Sequence, residues 1–272
     1  MGLRDWPGLA GGNEALATLR EVYLMPRDIA PIVPEARAGE DVVVLVHGFF
    51  ASAGVFRPMR KRIEAETGAR VASFTHLPGV GVRRIALSLA KLVDRIPRGV
   101  RIHLVGHSLG GLVSRWYVEE LGGYMRVAQT ISLASPFGGA RAAMLFPYFV
   151  GADLHPGSEV LRDMRTRTPS DVPHTSISGT ADRVVHHTAG AFARGEHIVL
   201  PGRGHNTLLY DAEVMDLIVA RIKRAQARPF DPVSRVASMA TVPTPIPPAV
   251  SPPASPPVST SLPPTIPATE AA

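Results

Sequence analysis

The stretch "VGHSLGG" (105–111) sets a serine, Ser108, between glycines in Gly-x-Ser-x-Gly spacing. A serine hydroxyl is a weak nucleophile at neutral pH. It performs acyl transfer only with a base to take its proton, a group to orient that base and donors for the oxyanion. The chain has no cysteine, which excludes a thiol nucleophile, a disulfide framework and a Zn–thiolate site. The base must come from the ten histidines. An open parallel sheet presents its site at the carboxyl ends of its strands, so a useful histidine follows a strand and sits in a loop. His205, in "VLPGRGHNTLLYD", does so, whereas His186 and His187 fall in a loop or helix start and His197 opens a strand. The orienting carboxylate should follow the preceding strand, which selects Asp182 in "TSISGTADRVV". Asp211 and Glu213 are the fallback, but they read as caps of the helix after His205. The resulting chain order is Ser…Asp…His.

Ser108 follows the apolar strand "RIHLVGH" and precedes a helix starting at Leu109. Such a strand–turn–helix bend lifts a hydroxyl above the sheet edge and aims a helix N-terminus at it. Gly106 and Gly110 are expected where a Cβ would clash across the turn, and Gly111 where the helix packs close to the strand. Upstream, "VVVLVHGFF" ends a strand in His-Gly. The backbone N–H groups of Phe49 and Leu109 are placed to hold an oxyanion, and His47 reads as a buried prop for the loop.

These residues need a scaffold. Apolar, β-branched runs at 41–49, 70–76, 101–108, 127–135, 174–180 and 196–200 read as strands, the first five without polar alternation, as for strands covered on both faces. Helical spacing is present at 55–66, 82–96, 109–121 and 207–226. This alternation predicts an α/β fold with a mostly parallel, doubly wound sheet of about six strands and helices on both faces. At 272 residues and 45% hydrophobic, the chain fits one soluble catalytic domain, 41–228, with an N-terminal segment (1–40) packing on it. Half of the 26 prolines fall in 229–272, which predicts a disordered, partly polyproline tail that serves as a linker or binds a proline-recognising protein. The net charge of +6 comes from scattered arginines, which argues against nucleic acid and fits a weak peripheral attraction to anionic lipid surfaces. No secretory signal or membrane-spanning run is legible, and the expected location is cytoplasmic.

With those residues placed, the chain resembles the α/β-hydrolases, in their lipase and esterase branch, from about Asp41 to Lys223. The resemblance rests on "LVHGFF", "LVGHSLGG", "ASPFGGA", "SGTADRVV" and "GRGHNTLL". It departs at Phe137, where a His or Lys often stands. It implies a serine hydrolase cleaving carboxylic esters with an apolar acyl group through Ser108, His205 and Asp182. It also implies a lid at about 137–173, with Phe50, Phe137, Leu145 and Phe146 at the substrate. No metal and no cofactor are assigned. Thioesterase, amidase and acyltransferase activities use the same triad and stay open, as does a non-catalytic adaptor working through its tail.

Overall fold

Strands β1 (Asp41–Val46), β2 (Arg70–Phe74), β3 (Arg101–His107), β4 (Val127–Leu133), β5 (His174–Gly179) and β6 (Glu196–Leu200) form one parallel sheet in the order β2-β1-β3-β4-β5-β6. The computed structural model describes residues 7–140, 150–166 and 170–230. Strands β1 to β5 are short and buried along almost their whole length because both faces are covered, the edge strand β6 much less so, and β1 shows the result residue by residue. Val42, Val44 and Val46 enter one core, while Val43 and Leu45 enter the other.

Helices α2 (Arg57–Thr67) and α7 (Ala212–Gln226) cover the second of these faces, and α3 (Val82–Asp94), α4 (Leu109–Glu120) and α6 (Glu159–Thr166) cover the first. The fold is the parallel, doubly wound α/β sheet that the six runs predicted. Strand order reverses between β1 and β3, with β2 and its successors placed on opposite sides of them. This opens a crevice at their carboxyl ends.

Two elements differ from the sequence expectation. The helix expected over 207–226 begins only at Ala212. Residues Thr207–Leu209 form a separate 3-10 turn, and Asp211, in extended backbone, caps α7 by accepting from the Glu213 and Val214 N–H groups. Leu208 and Leu209 are buried, which carried the apolar period back past the true start. The N-terminal segment contains an unexpected helix, α1 (Pro7–Leu24), followed by a loop in which Ile32 pairs with Ser73 of the edge strand β2 in both directions (2.8 and 3.0 Å). That bridge covers part of an otherwise open sheet edge.

Of the expected lid, residues 141–149 and 167–169 lie outside the described residues, including Leu145 and Phe146. The described parts are a short helix, α5 (Val150–Leu154), and α6, whose Val160, Leu161 and Met164 are core residues. Asp153 of α5 accepts from the Val82 N–H at 2.8 Å, supplying α3 with the N-terminal cap its own sequence lacks. Of the Pro-rich tail, residues 231–272 lie outside the described residues.

Candidate active site

Ser108 occupies a strained backbone conformation, φ +52° and ψ −119°, at the junction of β3 and α4. A non-glycine residue at positive φ persists only where its surroundings dictate it. Here the Ser108 N–H donates to the Leu133 carbonyl at 2.7 Å, tying the turn to β4. A Cβ on Gly106 would sit 2.4 Å from the Gly110 backbone, and one on Gly110 only 1.9 Å from the Val46 carbonyl oxygen. The glycines allow α4 to rise directly out of the sheet beneath the serine.

Leu109 opens α4, so its N–H belongs to the first turn and has no intrahelical acceptor, while its side chain is buried in the core. Phe49 follows β1, half-buried, and Phe50 beside it is exposed at φ +54°. The loop they occupy is braced by His47. Its Nδ1–H donates to the Gly48 carbonyl (2.8 Å) and its Nε2 accepts from the His76 N–H (3.1 Å), with the two rings stacked at 3.8 Å. Burial pushes the His47 pKa down to about 3. The ring is a neutral strut.

Asp182 and His205 lie beyond β5 and β6. His205 Nδ1–H donates to Asp182 Oδ2 at 2.8 Å, which leaves Nε2 as the basic nitrogen. Asp182 Oδ1 accepts from the Val184 and Val185 N–H groups, both at 2.8 Å, so the carboxylate is fixed by its own turn. Asp211 and Glu213 pair instead with Arg203.

Two groups that sequence reasoning did not single out hold the histidine loop. His107 is wholly buried, with its pKa pushed down by burial to about 3, and its Nε2–H donates to the His205 carbonyl (3.2 Å). Glu14 of α1 accepts from the Asn206 N–H (2.8 Å), the Thr207 N–H (2.9 Å) and the Thr207 hydroxyl (2.7 Å). The Asn206 amide donates to the Thr18 hydroxyl of the same helix at 3.1 Å. The available signal was the spacing of Glu14, Thr18 and Glu21, which share one helical face.

A cavity of about 350 Å³ joins these parts. Ser108, His107 and His205 line it together with Phe49 and Phe50 from the β1 loop, Thr18, Glu21, Val22 and Met25 from α1, and Gly151 and Leu154 from α5. Most of the remaining lining is apolar, including Pro136, Ala140, Val184 and Val185. Phe137, expected at the substrate, does not reach the cavity. It is 6% exposed and packs edge-on against His174 (5.2 Å) and against Phe192 (5.1 Å). The large ring finds more partners in the core than on the cavity wall.

The fold is that of the α/β-hydrolases. A family model described as "Putative serine esterase" (DUF676) matches residues 37–166, a span that includes Phe49 and Ser108 and ends before Asp182. Solved structures similar to the chain include lipases and esterases at low identity. The mature Bacillus licheniformis lipase BlEst2 is 14% identical with a TM-score of 0.60, covering 70% of this chain and 95% of that one. Aspergillus fumigatus lipase B is 16% identical with a TM-score of 0.57, covering 75% of this chain and 58% of that one. A carboxylesterase of the thaumarchaeon Nitrososphaera gargenis is 14% identical with a TM-score of 0.54, covering 72% and 93%.

Proposed function

We propose that the protein is a serine hydrolase of the lipase and esterase type, cleaving carboxylic esters with an apolar acyl group through Ser108, His205 and Asp182. The observation that carries the reading is the Asp182–His205 hydrogen bond at the mouth of the sheet, with His205 and Ser108 facing one largely apolar cavity.

In this mechanism His205 Nε2 takes the Ser108 proton as Oγ attacks the ester carbonyl. Asp182 holds the imidazole in the tautomer that leaves Nε2 free and stabilises the charge it gains. The N–H groups of Phe49 and Leu109 receive the tetrahedral oxyanion, and each such donor is worth on the order of 10²–10³ in rate. His205 returns the proton to the leaving alcohol. A water then enters and gives its proton to His205 as its oxygen attacks the acyl carbon; the bond to Oγ breaks, His205 passes the proton to Ser108, and the acid leaves. The apolar lining and the exposed Phe50 at the cavity suit a hydrocarbon acyl chain and contact with a lipid surface.

Hydrolysis of p-nitrophenyl esters from C2 to C16 by the wild type and Ser108→Ala tests the reading. Expected are activity lost in the variant and fluorophosphonate labelling of the wild type at Ser108. Labelling without ester hydrolysis would point to another acyl substrate, and absence of labelling would refute the serine mechanism.

A further inference from the structure

Glu21 is a buried carboxyl that the mechanism above does not use. It sits on α1, 9% exposed, and lines the cavity that holds Ser108 and His205. Among the described residues nothing donates a hydrogen bond to it. The groups acting on it electrostatically are His205 and Glu14, and it acts in turn on Tyr210. Burial is the largest influence and lifts its pKa to about 7. The carboxyl faces the cavity from partly desolvated surroundings, so a ligand donor that reached it would gain more than one meeting a fully solvated group.

The reaction fixes which part of a substrate lies near it. His205 must pass its proton to the leaving oxygen, so the alcohol side of the ester lies against His205 and the groups around it. Those groups are Asn206, Thr18 and Glu21, the polar section of the lining. The apolar remainder is left for the acyl chain.

We propose that Glu21 is a specificity residue that accepts a hydrogen bond from a free hydroxyl on the leaving alcohol, so that the preferred substrates are monoesters of a polyol such as glycerol. The proposal rests on the serine hydrolase reading and deepens it. Both the carboxylic acid and the carboxylate present an accepting oxygen, and a neutral hydroxyl adds no second positive charge beside the imidazolium formed during the reaction.

The test compares kcat/KM for glycerol monooctanoate, methyl octanoate and octanoylcholine, by pH-stat titration, in wild type, Glu21→Gln and Glu21→Leu. Fluorophosphonate labelling at Ser108 accompanies each. Expected is a wild-type preference for the glycerol monoester over the methyl ester on the order of tenfold. In Glu21→Leu that ratio falls to near one, while Glu21→Gln, which keeps an accepting oxygen, retains most of it. Labelling in all three proteins shows that the serine site is assembled. Labelling with no wild-type preference, an equal fall for both esters in Glu21→Leu, or a preference for octanoylcholine would overturn this proposal alone. Absence of labelling in the wild type would overturn the hydrolase reading together with it.

Discussion

Replacing Asp182 with asparagine isolates the tautomer on which the mechanism depends. Asp182 Oδ1 receives two backbone N–H groups, from Val184 and Val185, while Oδ2 faces His205 Nδ1. An asparagine keeps its oxygen where the two N–H donors point, so its NH₂ group is turned toward Nδ1. The imidazole must then carry its proton on Nε2, where it cannot accept one from Ser108. Rotating the amide to restore the productive tautomer would set its NH₂ against the buried Val185 N–H and the part-buried Val184 N–H, orphaning both at about 4 kcal/mol together. A total of about 4 kcal/mol leaves the productive arrangement populated at roughly 10⁻³. The expected fall in kcat is therefore on the order of 10³–10⁴, in line with the usual effect of this substitution in serine triads. Stability should change little, because the Oδ1 hydrogen bonds survive, whereas Asp182→Ala should lose about 2–4 kcal/mol by orphaning both donors. The assay is kcat with p-nitrophenyl butyrate alongside urea denaturation of both variants. A loss in Asp182→Asn of less than tenfold, in a folded protein, would refute the argument.

Glu14→Ala removes three hydrogen bonds between α1 and the loop after His205; it should lower stability by about 2–3 kcal/mol and kcat on the order of tenfold through misplacement of the imidazole, and an unchanged melting temperature and kcat would contradict this. Gly110→Ala puts a methyl group 1.9 Å from the Val46 carbonyl oxygen; a loss of about 3 kcal/mol or more is expected, and a wild-type urea midpoint would show that the turn is not as closed as described. Stability should also fall on acidification. The folded-state pKa values of His47 and His107 are depressed to about 3, so below pH 6.5 the unfolded chain binds protons that the fold refuses. At pH 5 these two histidines together weaken the fold by about 4 kcal/mol. Glu21, raised to about 7, acts oppositely and restores about 2 kcal/mol as pH drops from 7 to 5. The buried His174, lowered as well, adds to the loss. A net decrease of about 2 kcal/mol or more between pH 7 and pH 5, read by urea denaturation, is the expected outcome, and equal stability at the two values would contradict it.

The centre of the sheet was legible because strands buried on both faces are rich in apolar, β-branched residues, as in "DVVVLV" of β1 and "VAQTISL" of β4, and the six runs overlap the six strands. The turn at Ser108 was legible for a steric reason, since no side chain fits at Gly106 or Gly110. Helix α1 was not legible, because its pattern is inverted relative to an ordinary surface helix. Leu16, Leu19 and Tyr23 face outward, about two-thirds exposed, while Glu21 is turned inward toward the cavity. A periodicity argument assumes that the buried face is the apolar one, and a helix that walls a polar part of a site breaks that assumption. Phe137 failed for the opposite reason: an aromatic residue beside a suspected lid reads as a ligand contact, yet its surroundings are His174 and Phe192. The position of α7 turned on one residue, Asp211, whose capping carboxylate marks the start more sharply than the apolar pattern that runs through Leu208 and Leu209.

The hydrogen bond from the Asn206 N–H to Glu14 joins residues 192 positions apart, and this sets an order of assembly. On a ribosome α1 emerges before any of the sheet, while the loop it must grip is made only after β6. Until then Thr18, Glu21, Val22 and Met25 have no cavity to enclose. Contacts between such distant segments form late, after the local turns and neighbouring strands. In refolding from denaturant, secondary structure should therefore return before reactivity at Ser108, and the interval between the two is the time the first helix takes to find the last loop.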